Sequence, residues 1–185
     1  MVKDVLRDLE KKMKASIDHF RKELGMLRTG RANIAIFEEI RVPYYGVPTP
    51  VNQVATLKVP EPTLIVIQPY DPSVLEALDK AVRGSEFGFN PLNDGKVLRV
   101  PVPPLDEERR RELAKKIGRM LEEEKTALRN MRRESKEFIE ELEKEKEITE
   151  DDKFLGIEQL QKLMDETIGK IDELAAAKEK EILER

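Results

Sequence analysis

The sequence predicts an α+β protein, in which an elongated antiparallel three-helix bundle carries an inserted small β/α/β domain. Both ends of the chain are highly charged and show helical spacing of apolar residues, whereas all 11 prolines lie between Pro43 and Pro104. Of the 34 basic and 38 acidic residues, only 15 lie in the range 31–105. Because proline disrupts helix interiors, the middle of the chain is predicted to form a separate domain.

The first helix is predicted from the apolar residues of the N-terminal segment, which recur at steps of three and four positions. This spacing places them on one helical face. They are Leu6, Leu9, Met13, Ile17, Phe20, Leu24 and Leu27. We expect this helix to end at Thr29-Gly30, because glycine commonly terminates helices.

The second helix is predicted to begin at Asp106, whose carboxylate can accept hydrogen bonds from the free N–H groups of a helix start. Glu107 and Glu108 follow, where the helix dipole favours negative charge. The apolar residues keep a heptad-like spacing over roughly forty residues, or about 60 Å of helix, interrupted by Glu124 and Ser135. They are Ile117, Leu121, Leu128, Met131, Phe138 and Leu142.

The third helix is predicted to begin at Thr149, which can form a variant capping box with Asp152. Its apolar stripe comprises Ile157, Leu160, Met164, Ile168, Ile171 and Leu174. Three amphipathic helices bury their stripes most simply against one another. The ranges 1–29 and 106–185 are therefore predicted to form one bundle.

The inserted domain is predicted to span residues 31–104. Asp71-Pro72 indicates a helix start, because it combines a capping carboxylate with a first-turn proline. The residues expected on the buried face of that helix are Val74, Leu75, Leu78 and Val82. Short apolar runs between turn residues predict four strands, at 36–42, 55–59, 64–67 and 97–102. Only the segments 29–31 and 101–105 connect the domains, so we expect a hinge there.

Composition excludes several classes of function. The absence of cysteine excludes disulfides and thiol chemistry, and the absence of a long apolar run leads us to expect a cytoplasmic protein. His19 is the only histidine and lies in the first helix, so no metal site is expected. Residues 25–30 resemble a phosphate-binding loop only superficially, because they lack its Gly-Lys-Ser/Thr ending and follow a helix. We predict no catalytic residue and no cofactor.

A basic cluster on the second helix points to a binding function. It comprises Lys125, Arg129, Arg132, Arg133 and Lys136. Two members have an acidic residue four positions further on, as intrahelical ion pairs require. Those pairs are Arg133 with Glu137 and Lys136 with Glu140. Arg129 and Arg132 have no acidic residue three or four positions away. Phosphates suit guanidinium groups, so RNA is the favoured partner, and an acid on a neighbouring helix is the alternative.

Smaller features give weaker indications. Arg28 and Arg31 form a second basic point near the domain junction. Tyr44 and Tyr45 have ring faces on which bases can stack, but tyrosines at strand ends more often pack against the protein, and we favour packing. The formal net charge of −4 means that nucleic-acid binding must depend on such local clusters of basic residues.

Five separate segments of the chain carry a family resemblance. They are Leu27-Arg28-Thr29-Gly30-Arg31-Ala32, then Tyr44-Tyr45-Gly46-Val47-Pro48-Thr49-Pro50, then Asn90-Pro91 with Asp94-Gly95, then Pro103-Pro104-Leu105 with Glu107-Glu108-Arg109-Arg110, and finally Arg129-Asn130-Met131-Arg132-Arg133. In this order and with this spacing they resemble the ribosome recycling factor family from end to end. The resemblance implies that family's L-shaped fold, a three-helix bundle with an inserted β-rich domain.

The resemblance also implies a function. Members of the family are translation factors that act with elongation factor G and GTP to split post-termination ribosomes into subunits, which releases mRNA and tRNA. The implied partners are the ribosome, through large-subunit rRNA, and elongation factor G, and we expect a monomer. Position by position, the resemblance assigns RNA contact to Arg28, Arg31, Arg129, Arg132 and Arg133. It assigns the hinge to Gly30, Pro103, Pro104 and Leu105.

Two positions depart from the family pattern. Asn33-Ile34 replaces a typical Ser/Thr-Pro, which predicts a looser exit from the first hinge segment. Asp106 replaces a threonine cap with an equivalent one. Two competing interpretations remain open: a coiled-coil module that binds an acidic protein partner without binding RNA, and a phosphoryl-transfer enzyme that uses residues 25–30.

Overall fold

A computed structural model describes residues 1–184 and confirms the α+β class. Long helices lie at the two ends of the chain and short elements lie between them. In chain order these are α1 (Val2–Gly25), α2 (Ile34–Glu38), β1 (Arg41–Tyr44), β2 (Val47–Pro50), α3 (Val51–Val54), β3 (Ala55–Glu61), β4 (Leu64–Pro69), a 3-10 turn (Pro72–Val74), α4 (Leu75–Arg83), β5 (Leu92–Asn93), β6 (Leu98–Pro101), α5 (Glu107–Lys144) and α6 (Glu150–Leu183). Within 1–184 no helix is long and apolar enough to cross a membrane.

The chain divides into two compact units. The first consists of Met1–Leu24 with Arg111–Arg185, and the second of Gly25–Arg110. The first is helical and contains most of α1, most of α5 and all of α6. The second contains every strand of the described chain and the short helices between them.

Polar contacts between the helices fix their directions in the helical unit. Lys125 on α5 pairs with Asp172 on α6 at an N–O distance of 2.7 Å, and Glu143 near the end of α5 pairs with Lys153 near the start of α6 at 3.3 Å. These two pairs show that α5 and α6 run antiparallel. Ser16 on α1 donates a hydrogen bond to the Glu124 carboxylate on α5. The interruption of the apolar stripe at Glu124 is therefore a cross-helix contact.

The buried residues of the helical unit match the predicted stripes at most positions. Those less than 2% exposed are Leu9, Met13, Phe20, Ile117, Leu128, Ile139, Leu160, Ile171 and Ile182. One predicted position is wrong: Phe138 is 49% exposed, and its neighbour Ile139 is buried instead. A straight helix drifts by about 20° per heptad from a strict seven-residue repeat, so over three heptads the buried face moves to the next residue.

Both predicted caps of the long C-terminal helices are confirmed. The Asp106 carboxylate accepts a hydrogen bond from the backbone N–H of Arg109 at 2.7 Å. At α6, Thr149 and Asp152 form a reciprocal capping box in which each side chain accepts from the backbone N–H of the other residue. Each cap satisfies N–H groups that have no partner within the helix.

The second unit is built on a four-stranded antiparallel sheet with strand order β3-β4-β6-β5, beside a separate β1-β2 hairpin. Alternate residues of the two central strands point into the core, as the period of a strand requires. Ile65 and Ile67 of β4 and Leu98 and Val100 of β6 are all fully buried. The predicted helix after Asp71-Pro72 is confirmed, and its expected core residues are buried: Val74, Leu75, Leu78 and Val82.

The predicted strand 36–42 is wrong over most of its length, because α2 occupies Ile34–Glu38 and β1 begins only at Arg41. Asn33 caps α2: its Oδ1 accepts from the backbone N–H of Ala35 at 3.0 Å. The adjacent Ile36 and Phe37 are both buried. A strand cannot place successive side chains on one face, whereas the edge of a helical face can accommodate both.

The hairpin β1-β2 was only partly predicted. The strand Val47–Pro50 is not among the predicted strands. Its two prolines disfavour the centre of a sheet, but both strands of a two-stranded ribbon are edge strands. At the turn Tyr45 and Gly46 both have positive φ, at 47° and 80°. Tyr44 packs against the core as expected, but Tyr45 is 83% exposed, so packing is the wrong prediction for that ring. The Asp71 carboxylate beside it raises the pKa of Tyr45.

The capping box of α6 can be tested with Thr149→Ala. The variant leaves the backbone N–H of Asp152 without its acceptor, so we expect the free energy of unfolding to fall by about 1 kcal/mol in urea denaturation at neutral pH. The control is Thr126→Ala on α5, where the hydroxyl bonds only the Glu122 carbonyl of its own helix. Alanine favours a helix interior, so the control should lose no stability.

The same variant has a pH signature. The Thr149 hydroxyl, and then the Thr149 N–H, hold the pKa of Asp152 below its usual value. A carboxyl whose pKa is lowered by folding contributes stability above its unfolded pKa and loses it as the pH falls. Between about pH 5 and pH 3, Thr149→Ala should therefore lose less stability than the parent chain. Equal losses would show that the box does not stabilise the carboxylate.

Candidate nucleic-acid interface

The predicted basic cluster lies along α5, and the structure separates one member from the rest. The Lys125 ammonium, 2.7 Å from the Asp172 carboxylate, has a side chain only 19% exposed. It therefore links α5 to α6 and is already neutralised. The remaining cations are the candidates for an external partner.

Arg129 has an acidic neighbour that the sequence prediction missed. Its Nη2 lies 3.6 Å from Oε2 of Glu122, seven positions earlier on α5. The expectation that Arg129 lacks an intrahelical acid is therefore wrong, because these two long side chains meet across a separation of seven positions. The two side chains are 54% and 64% exposed, and an exposed pair at this distance contributes little to stability. Arg129 remains accessible to solvent and to a partner.

Arg132 has no acidic partner within residues 1–184. Its Nη1 donates to Oε1 of Gln161 on α6 at 2.8 Å, and the described chain provides no acceptor for its buried Nε. The alternative of an inter-helix salt bridge is thus not realised at Arg132. A buried donor without a partner is costly, about 1–3 kcal/mol, so the arginine is not explained by stability alone.

Arg129, Arg132 and Arg133 together form what we call the arginine surface. Arg133 makes the predicted pair with Glu137 at 4.0 Å, and Lys136 makes the predicted pair with Glu140 at 3.5 Å. The Arg133 pair is at the limit of an ion pair, and both of its side chains are 67% exposed. The surface therefore presents three guanidinium groups of which none has a close, buried carboxylate.

The second basic point divides into two different environments. The Arg28 guanidinium donates to the Phe87 carbonyl and lies 5.2 Å from the centre of the Phe89 ring. It is partly buried and packs inside the second unit, so its RNA contact stays a prediction. Arg31 is exposed, and no partner is seen for it among the described residues.

The two predicted hinge segments lie against each other within the second unit. Gly30 has a φ of +75°, and a Cβ placed there would lie 2.9 Å from the backbone nitrogen of Leu105 and 3.4 Å from Cα of Pro104. Both segments are also held by the β3–β4 turn. Ala32 donates its N–H to the Pro62 carbonyl, and Val102 donates to the Thr63 carbonyl, each at 2.7 Å.

Asn33 makes two hydrogen bonds next to the first hinge segment. Its Nδ2 donates to the carbonyl of Gly25 at 2.7 Å, while its Oδ1 caps α2. One side chain thus satisfies the end of α1 and the start of α2. The predicted helix end at Thr29-Gly30 is wrong, because α1 ends at Gly25. The looser exit from the first hinge segment stays a prediction.

The structure shows where the residues considered for metal binding and for phosphoryl transfer lie. No group of three His, Asp or Glu side chains there could hold a metal ion. His19 is an exposed residue of α1, 3.8 Å from Glu23. Residues 25–30 begin at the last residue of α1, whereas a phosphate-binding loop follows a strand.

Comparison with known proteins decides the family. Residues 20–183 match the family described as Ribosome recycling factor. The chain is 50% identical to the ribosome-recycling factor of Syntrophomonas wolfei and 47% identical to that of Geobacillus kaustophilus, in each case over the whole of both chains. The chain belongs to the ribosome recycling factor family. The family resemblance inferred from the sequence is thereby confirmed.

Solved structures of ribosome recycling factors have the same fold. A solution structure superposes with a TM-score of 0.83 at 46% identity and covers 98% of this chain and 97% of its own. A second structure has a TM-score of 0.69 at 40% identity over all of both chains. It contains the T. thermophilus recycling factor and E. coli elongation factor G bound to the E. coli post-termination complex.

The close approach at Gly30 can be tested with Gly30→Ala. Alanine at a positive φ costs about 1–2 kcal/mol, and here the Cβ must also displace the backbone of Leu105. We expect the free energy of unfolding, measured by denaturant titration, to fall by more than the cost of the backbone strain, because the steric contact adds to it.

The matched control is Gly95→Ala in the same unit. Gly95 has a φ of +87°, but a Cβ there would meet nothing within 4 Å. The control therefore measures the backbone strain without the steric contact. If the two variants lost equal stability, the packing of Gly30 against Leu105 would have no energetic importance.

Proposed function

We propose that this chain acts with elongation factor G and GTP to split post-termination ribosomes into subunits, which releases mRNA and tRNA for a new round of translation. The helical unit would lie against large-subunit rRNA, with the arginine surface on the phosphate backbone. Family membership supports the general role. The state of Arg132 supports the RNA contact.

The proposed RNA contact depends on one observation: Arg132 has no acidic partner within residues 1–184. Guanidinium groups present donors in a fixed fork that suits phosphate oxygens, and each phosphate contact releases counterions. The positive charge of Arg132 is not offset by a carboxylate, because its observed partner is an amide. The weak, exposed pairs of Arg129 and Arg133 can exchange their carboxylates for phosphates at small cost.

The partners follow from the same proposal. The T. thermophilus family member is seen with elongation factor G on a post-termination complex. By analogy we assign elongation factor G as the partner of this chain and the ribosome as its site of action, in the cytoplasm and as a monomer. The chain would supply no chemistry of its own, and GTP hydrolysis would belong to elongation factor G.

We also propose that Gly30 with Pro103, Pro104 and Leu105 forms the hinge. A hinge requires both connecting segments to bend at one place, and Gly30 lies directly against Pro104 and Leu105. Proline restricts the second segment, and the positive φ of Gly30 confines the first to a conformation that other residues rarely adopt. In this proposal the hinge transmits the force supplied by elongation factor G.

The RNA contact predicts the behaviour of Arg132→Ala. We expect its affinity for 70S ribosomes to fall about tenfold, since one charge-assisted contact is lost. The slope of log affinity against log salt should fall in magnitude by about one, which sedimentation binding across a KCl series will measure. Circular dichroism should show unchanged helicity.

Arg21→Ala is the matched control, because it removes the same charge from the helical unit. Arg21 lies on α1 and pairs with Asp18 of the same helix at 2.9 Å. It should bind within about twofold of the parent chain, with the same salt slope. If Arg132→Ala also kept its affinity and slope, the arginine surface would not contact RNA, and the rival interpretation of an acidic protein partner would be favoured.

The recycling role has its own test. Post-termination ribosomes incubated with the chain, elongation factor G and GTP should separate into subunits on a sucrose gradient. Omission of any one component should leave them intact, because the chain supplies binding and the GTPase supplies energy. Separation without elongation factor G, or none with all three present, would contradict the proposal.

A further inference from the structure

A chain of hydrogen bonds joins Arg132 on α5 to two residues of α6. Arg132 Nη1 donates to Oε1 of Gln161, and Nε2 of Gln161 donates to Oδ1 of Asp165, each at 2.8 Å. Gln161 and Asp165 are four positions apart on one helix, where side chains meet. The arginine therefore contacts an amide, and the amide contacts a carboxylate.

The Asp165 carboxylate determines which way the Gln161 amide faces. An ionised carboxylate can only accept hydrogen bonds, so it must face the NH₂ group of the amide. The amide oxygen is then directed towards α5, where a guanidinium can only donate. The order of donors and acceptors thus leaves one orientation in which both contacts of Gln161 are satisfied.

The same two helices provide a contrasting contact at Lys125. There a carboxylate of α6, Asp172, meets the cation of α5 directly and neutralises it. At Arg132 the corresponding contact is a neutral amide, and the Asp165 carboxylate bonds that amide, with no ion pair to the guanidinium within residues 1–184. The helix pair therefore holds one cation with its charge cancelled and the other with its charge preserved.

We propose that Gln161 is a positioning residue for RNA binding: it fixes the Arg132 guanidinium against α6 without neutralising it. This inference rests on the proposed RNA contact and adds a residue from a second helix to it. A free arginine side chain loses conformational entropy when it binds a phosphate. A guanidinium that Gln161 already holds in place loses less of that entropy. An acid in place of Gln161 would hold it equally well but cancel the charge that attracts phosphate.

The decisive variant is Gln161→Glu, which retains an acceptor beside Arg132 and adds the negative charge. We expect it to bind 70S ribosomes about tenfold more weakly than the parent chain. The slope of log affinity against log salt should fall in magnitude by about one, as if a phosphate contact were lost. Thermal unfolding, followed by circular dichroism, should show that the variant folds as the parent does.

The matched control is Gln159→Glu, which makes the same charge change two positions earlier on the same helix. Residues two apart on a helix point about 200° apart, and Gln159 is exposed. This variant should bind within about twofold of the parent, because surface charge remote from the interface is screened by salt. Gln161→Ala leaves the charge of Arg132 unchanged but removes the hydrogen bond that holds its guanidinium. The affinity of this variant for ribosomes should therefore fall while its salt slope stays unchanged.

Arg132→Ala separates failure of this inference from failure of the proposed function. If Arg132→Ala binds as the parent does, the RNA contact itself fails. If Arg132→Ala weakens binding but Gln161→Glu matches Gln159→Glu, only the role of Gln161 is overturned. In the Arg132→Ala background, Gln161→Glu should have no more effect than Gln159→Glu, and a larger effect there would show that Gln161 does not act through Arg132.

Discussion

Burial of three apolar stripes against one another is the constraint on which the helical unit depends. No single stripe can be removed from water by its own helix, so α1 must pack with α5 and α6, from which it is separated by a whole inserted unit in sequence. Hydrophobic burial is not directional, and it does not by itself fix the register of the helices. The cross-helix polar contacts provide that register, at Ser16 with Glu124 and Lys125 with Asp172.

The register also bears on the proposed RNA contact. When Lys125 is aligned with Asp172, the antiparallel run of α6 brings Gln161 beside Arg132. The Lys125–Asp172 ion pair and the proposed RNA contact of Arg132 thus depend on one alignment of the same two helices. In the proposed function the arginine segment of α5 therefore depends on α6, because α6 determines whether a cation of α5 faces a carboxylate, as at Lys125, or an amide, as at Arg132.

The connecting segments obey a different constraint, which is steric. At position 30 there is space for no more than a hydrogen atom against Leu105, so only glycine fits. The positive φ of Gly30 also favours glycine. Asn33 holds the neighbouring chain by bonding the end of α1 and the start of α2. Both bonds are made within the segment that departs from the family pattern, Asn33-Ile34.

Periodicity in the sequence determined the three long helices, their caps at Asp106 and Thr149, and the central strands, because each depends on residues close together in the chain. The family motifs determined the general role. Tertiary structure decided the rest. It placed Ile139 in the core instead of Phe138, since a long helix drifts from a seven-residue repeat. It also brought Gln161 to Arg132, a contact that no local pattern contains because the two residues meet only when separate helices pack.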